Sequence, residues 1–95
     1  MMFPKSRPVR LSGTALKRVC EEVYERDKGC CVNCGRYVEE GTKPHHVLFK
    51  SRGGGDTVDN MVMLCNECHF KVHHSHLGKA IQDKCERLLR WLYEI

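Results

Sequence analysis

Two Cys-x-x-Cys pairs, Cys31/Cys34 and Cys65/Cys68, constrain this chain more than any other feature. A two-residue gap lets neighbouring thiolates reach one ion at about 2.3 Å, so two such pairs predict a closed, four-thiolate structural zinc site. A chain of 95 residues has room for a single domain, and a domain of that size buries only about two-thirds of its unfolded surface. Bound structural zinc contributes on the order of 10 kcal/mol of folding free energy in small metallo-domains, so the metal is expected to act as the staple. The seven cysteines could instead form a disulfide framework. Against that, Met1 to Lys5 offers no apolar leader, and paired Cys-x-x-Cys spacing without one favours zinc in a reducing, cytoplasmic setting. Cys30 could replace Cys31 only by widening the gap to three, so Cys31 is preferred. Cys20 and Cys85 fall on apolar helix faces and read as small buried hydrophobes.

The formal net charge of +4 is unevenly distributed: Lys5, Arg7, Arg10, Lys17 and Arg18 all precede the first acidic residue, Glu21. Residues 1–11 therefore read as a basic flexible arm, suited to phosphate contacts through Arg7 and Arg10 or simply solvated, ahead of a single domain over 12–95. No apolar run approaches the roughly 20 residues of a membrane span, so no membrane association is expected.

From Ser12 to about Lys28, Leu16, Val19, Cys20, Val23 and Tyr24 recur at three- and four-residue spacing, predicting an amphipathic helix with Ser12 as N-cap and Gly29 as stop. The helical period then disappears, and Gly35, Gly41, Pro44 and Gly53-Gly54-Gly55 cut the chain into short pieces. Two short strands are expected, around Arg36 to Glu39 and around His46 to Phe49. Helix returns from Asn66. Over Gly78 to Ile95, Ile81, Cys85, Leu88, Leu89, Leu92 and Ile95 form an apolar face widened by Trp91 and Tyr93, for the core or for a partner.

All six histidines fall between His45 and His76. On a helix starting at Asn66, His69 and His73 stand at i and i+4, the spacing two imidazoles need to share a cation. His74 and His76 read as exposed. His45 and His46 are adjacent, and on a strand they face opposite ways. One of them can complete a metal site with His69 and His73. The other, turned toward solvent or substrate, is a candidate proton acceptor near pH 7, since an unperturbed imidazole has a pKa of about 6.5.

The string His45-His46-Val47-Leu48-Phe49-Lys50-Ser51-Arg52-Gly53-Gly54-Gly55-Asp56, followed by Asn60, Leu64-Cys65-Asn66-Glu67-Cys68-His69 and His73, resembles the HNH nuclease signature over residues 31 to 73. The resemblance implies a small α+β fold: a ββα-metal core of two antiparallel strands and a helix around one divalent cation, braced by the four-cysteine zinc site, here with flanking N- and C-terminal helices. By position it implies His46 as general base, with its other ring nitrogen held by a backbone carbonyl. His45 and His69 would be ligands of the catalytic ion, and Asn60 the residue that ties down the loop between the strands. His73 matches a helix histidine that ligates the metal in some members and serves the substrate in others. Lys50 and Arg52, on the loop beside His46, are candidates for phosphate contact or for a solvated loop.

The expected activity is metal-dependent cleavage or nicking of DNA by a one-metal mechanism, with one structural Zn²⁺ and one catalytic Mg²⁺, Mn²⁺ or Ni²⁺ as cofactors. The competing expectation is a zinc-knuckle module that binds DNA or protein without catalysis. A monomer or weak homodimer is expected, with phage-packaging or mobile-element proteins as candidate partners.

Overall fold

The computed structural model describes residues 9–93. Three helices, α1 (Gly13–Arg26), α2 (Asn66–His74) and α3 (Gly78–Tyr93), surround a two-stranded antiparallel sheet of β1 (His45–His46) and β2 (Met61–Val62). The register pairs His45 with Val62 and His46 with Met61. One further bond, Val47 N–H to the Asn60 carbonyl at 2.8 Å, extends the pairing toward the loop between the strands. This is the small α+β architecture with flanking helices that the signature implied.

The strand expected around His46 to Phe49 overlaps β1 at His46, but its partner lies elsewhere than periodicity placed it. The segment Arg36 to Glu39 forms no strand; only an isolated bridge joins Tyr37 to Cys30, and the partner of β1 is the apolar run beginning at Met61. Met61, Val62, Met63 and Leu64 are all buried. A run enclosed on both faces shows no alternation, which is why it escaped a search for period two.

The core gathers around that run: Val23 from α1, Val38 and Val47 from the connecting segments, and Ile81, Cys85 and Leu89 from α3. Cys85 is fully buried and Cys20 partly so, as small apolar residues. The stripe on α3 is therefore mainly core, while Trp91 and Leu92 remain exposed. α1 begins after Ser12, whose side chain makes no capping bond, and ends at Arg26, two residues short of expectation. The turn behind it needs left-handed backbone at Lys28 (φ 57°) and Gly29 (φ 66°).

Arg26 and Asp27 tie the helices to the sheet. The Arg26 guanidinium donates to the carbonyls of Val58 and Met61, both at 2.7 Å, to the Tyr93 hydroxyl at 3.1 Å, and to both oxygens of Asp27. Asp27 also accepts the Met63 N–H at 2.8 Å. Every member is paired, which is the condition for a largely buried ion pair to be tolerated.

Of the arm expected over residues 1–11, Val9 to Leu11 are fastened to the loop between the strands. The Val9 carbonyl accepts the Asp56 N–H, and the Leu11 N–H donates to the Asp56 carboxylate at 2.9 Å. Arg7 and Lys5 lie outside the described residues.

Candidate metal centres and active site

Cys31, Cys34, Cys65 and Cys68 converge, with their sulfur atoms all within 4.8 Å of one another. The Cys34 and Cys65 sulfurs are 3.7 Å apart. Two thiolates on a tetrahedral ion at about 2.3 Å are separated by about 3.8 Å, so this cluster is built to hold a metal such as zinc. Burial alone would raise the Cys31 thiol, but N–H groups of Cys34, Cys65 and Asn33 bring its pKa down to about 7. Burial and the neighbouring thiols push Cys68 up to about 12. Four ionised thiols cannot share this space without a cation among them.

The same cysteines place the histidines. Cys65 is the N-cap of α2, its sulfur accepting the Cys68 N–H at 3.5 Å, so α2 starts from the thiolate cluster and presents His69 and His73 one turn apart. Their Nε2 atoms are 3.3 Å from each other. Imidazole nitrogens about 2.1 Å from a tetrahedral ion would be about 3.4 Å apart, so the pair has the spacing of co-ligands. His45 joins from β1: its ring lies 5.1 Å from that of His69 and 5.9 Å from that of His73, centre to centre. One ligand nitrogen from each of the three falls within 4.8 Å of the others. The donor set fits a divalent cation of the kind imidazole prefers.

His45 is 3% exposed. Burial is the largest influence on it and drives its pKa down to about 4, with His69 and His73 adding to the effect and the Gln82 side chain opposing it. His69 is lowered for the same reason, burial first and His73 second. Ligation requires neutral imidazole, and this environment keeps His45 neutral well into acid.

His46 faces the other way from His45, as adjacent strand residues must. Its Nε2 lies 2.7 Å from Asp56 Oδ1. The partner is thus a carboxylate rather than the expected backbone carbonyl. Asp56 is 2% exposed. Burial pushes its carboxyl up, but the Leu11 N–H and His46 hold it below the usual carboxylate range, with Lys50 contributing. An ionised carboxylate only accepts, so a neutral His46 would carry its proton on Nε2 and keep its lone pair on Nδ1.

Asn60 closes the loop between the strands. Its Oδ1 accepts the Leu48 N–H at 2.8 Å, and its Nδ2 donates to the carbonyls of Leu48 and Gly55, both at 3.1 Å. Gly54 permits this closure, because a Cβ there would lie 1.7 Å from the Leu48 carbonyl oxygen and 2.9 Å from Asn60 Nδ2.

A cleft of about 630 Å³ opens over the site, lined by His45, His46, His69, His73, Phe49, Lys43 and Lys50, with Leu16 and Cys20 of α1 also on its lining. Lys50 and Arg52 are exposed on a single 3₁₀ turn. Arg10 donates to the backbone carbonyls of Gly54, Val9 and Lys50. The structure thus gathers His45, His46, His69, His73, Asn60 and Lys50 at one place, and leaves Arg52 outside the lining of the cleft. His74 and His76 are exposed, as expected. Asp56 and Gln82 belong to the site although no spacing rule singled them out. The available signal for Gln82 was a polar side chain three residues before Cys85 and seven before Leu89, on the buried face of α3.

The family model for HNH endonuclease matches residues 31–75. The chain is 39% identical over 66 residues to the type IV methyl-directed restriction enzyme EcoKMcrA of Escherichia coli K12, an alignment covering 62% of this chain and 24% of that enzyme. It is 38% identical over 39 residues to the probable mobile endonuclease C of Enterobacteria phage T4, covering 41% of this chain and 19% of that protein. It is also 30% identical over 61 residues to anaredoxin of Nostoc sp., covering 64% of this chain and 79% of that protein. The chain thus spans about a quarter and a fifth of the two endonucleases it matches. Among the described residues, no helix is long and apolar enough to cross a membrane. With its thiolate cluster and its imidazole trio, the segment 31–75 of this chain carries the signature of the HNH endonuclease family.

Proposed function

We propose that this domain hydrolyses DNA phosphodiester bonds, with His46 as general base and with His45, His69 and His73 holding one divalent cation. The observation that carries the reading is the juxtaposition of three convergent imidazoles with a fourth, His46, whose ring is held by a buried carboxylate. Bound among the three, Mg²⁺, Mn²⁺ or Ni²⁺ would supply positive charge to a phosphate oxygen and to the departing 3′ oxygen, where negative charge develops.

The rest is done by the chain itself. His46 Nδ1 takes a proton from water as the water oxygen attacks phosphorus, while Nε2–H stays on Asp56. General-base assistance of this kind contributes about 10²- to 10⁴-fold. The bond from phosphorus to the 3′ oxygen breaks with its electron pair going to that oxygen, which takes a proton from solvent, leaving a 5′-phosphate and a 3′-hydroxyl. Asn60 positions the loop that carries Lys50, whose exposed ammonium would meet the DNA backbone. The four cysteines, holding Zn²⁺, fix the start of α2 and hence two of the three imidazoles. Acting as a monomer or a weak homodimer, one such site cuts one strand per encounter, so nicked DNA precedes linear DNA.

The test is digestion of supercoiled plasmid with Mg²⁺, Mn²⁺ or Ni²⁺, against EDTA and against His46→Ala. Wild-type protein should nick in at least one metal, while His46→Ala keeps its fold and zinc and loses cleavage. Supercoiled DNA surviving every metal at micromolar protein would favour the zinc-knuckle binding module without catalysis. Near wild-type nicking by His46→Ala would mean that His46 is not the base.

A further inference from the structure

Gln82 makes two hydrogen bonds that together decide how His45 is protonated. Its Nε2 donates to the Val47 carbonyl at 2.9 Å. Its other amide atom lies 2.6 Å from His45 Nε2. A carbonyl only accepts, so the amide atom facing Val47 is the nitrogen and the one facing His45 is the oxygen. That oxygen also only accepts. His45 Nε2 must therefore carry the hydrogen, and Nδ1 is the ring nitrogen with a lone pair to offer. The amide thus grips the chain on both sides of His46, by the ring of His45 and by the backbone of Val47.

Gln82 comes from α3, beyond residues 31–75 that match the family model. Resting on the reading of the three imidazoles as a cation site, we propose that Gln82 is the positioning residue that locks His45 as the Nε2–H tautomer and so presents Nδ1 to the divalent cation. A side chain that orients a ligating histidine and sets its tautomer commonly contributes 10- to 100-fold in metal affinity. The strength of the site would then depend on how α3 docks as well as on the ββα core. Gln82→Leu removes the acceptor and frees both ring nitrogens of His45 to exchange the proton. Gln82→Glu keeps an acceptor for the Nε2–H and makes it a stronger one.

The experiment titrates Ni²⁺ by calorimetry into zinc-loaded full chain, with His45→Ala as the control for losing a ligand. Gln82→Leu should weaken Ni²⁺ binding about 10- to 100-fold at unchanged stoichiometry and zinc content. Gln82→Glu should bind within a few-fold of wild type or tighter. Nitrogen-15 spectra of the histidines, recorded without Ni²⁺, should show His45 as a single Nε2–H tautomer in wild type and as a mixture in Gln82→Leu. Wild-type affinity in a folded Gln82→Leu protein, with His45→Ala clearly weakened, overturns the role of Gln82 alone. Loss of affinity in both Gln82→Leu and Gln82→Glu with the tautomer unchanged would also overturn it, since the effect would then be on packing. No Ni²⁺ bound by wild type beyond the zinc site overturns the cation-site reading beneath it.

Discussion

The imidazole of His46 is joined to the carboxylate of Asp56, Nε2 to Oδ1 at 2.7 Å, and the second oxygen of that carboxylate accepts the Leu11 N–H at 2.9 Å. An aspartate can serve both donors because each oxygen accepts independently. An asparagine has one carbonyl oxygen and must choose.

Asp56→Asn should therefore leave either His46 or Leu11 without its acceptor. Where the amide nitrogen turns toward His46, the proton moves to Nδ1 and the base is lost. Nicking is expected to fall on the order of 10²-fold or more, with zinc content unchanged. Initial nicking rates on supercoiled plasmid at fixed metal concentration would measure this. A rate within threefold of wild type would contradict the assignment.

The same carboxylate sets a pH dependence. Its pKa is held below the usual carboxylate value by Leu11 and His46 against the upward push of burial. A depressed carboxylate gives stability that is complete above its unfolded pKa, about 3.9, and is lost as pH falls through the lower folded value. Urea unfolding at falling pH should show wild type losing stability more steeply below about pH 4 than Asp56→Asn. Parallel curves for the two proteins would show that the carboxylate is not held in this way.

Cys65→Ser removes a thiolate that both belongs to the four-sulfur cluster and caps α2. Zinc and structure should be lost together, since the metal stabilises such small domains by on the order of 10 kcal/mol. Zinc content by atomic absorption and far-ultraviolet circular dichroism should fall in parallel. A well-folded, zinc-free protein would show that the cluster is no staple.

At Gly54, a Cβ would sit 1.7 Å from the Leu48 carbonyl oxygen, a backbone atom that cannot move without opening the loop. Gly54→Ala should destabilise the fold by about 2 kcal/mol or more and slow cleavage through the displaced loop. Thermal unfolding and the nicking rate measured together would register both effects. An unchanged melting temperature would mean the loop has slack.

How much of this was legible beforehand depended on whether a feature repeats at a fixed spacing. The Cys-x-x-Cys pairs, the i, i+4 pair His69 and His73, and the placement of Asn60 within the signature all do, and the structure brings each of them together. β2 was missed because two residues are too few to show a period, and the buried run containing them does not alternate. The strand expected at Arg36 to Glu39 had residues suited to one but no neighbour beyond a single bridge. Asp56, Gln82 and Arg26 work through polar contacts that include partners 10, 37 and 35 positions away, His46, His45 and Met61. Nothing local marks such a contact, since its partner is fixed only once the chain has folded. Burial of a lone polar side chain on an apolar face is the trace they leave.

The fastening of Leu11 to Asp56 has a practical consequence for anyone moving this domain into another protein. A transplant cut at Cys31, the first cysteine of the four-sulfur cluster, would carry every signature residue yet strip the carboxylate beneath His46 of one of its two donors. A chimera that begins at Val9 and runs through the last turn of α3 would keep that clasp, and with it the aim of the imidazole.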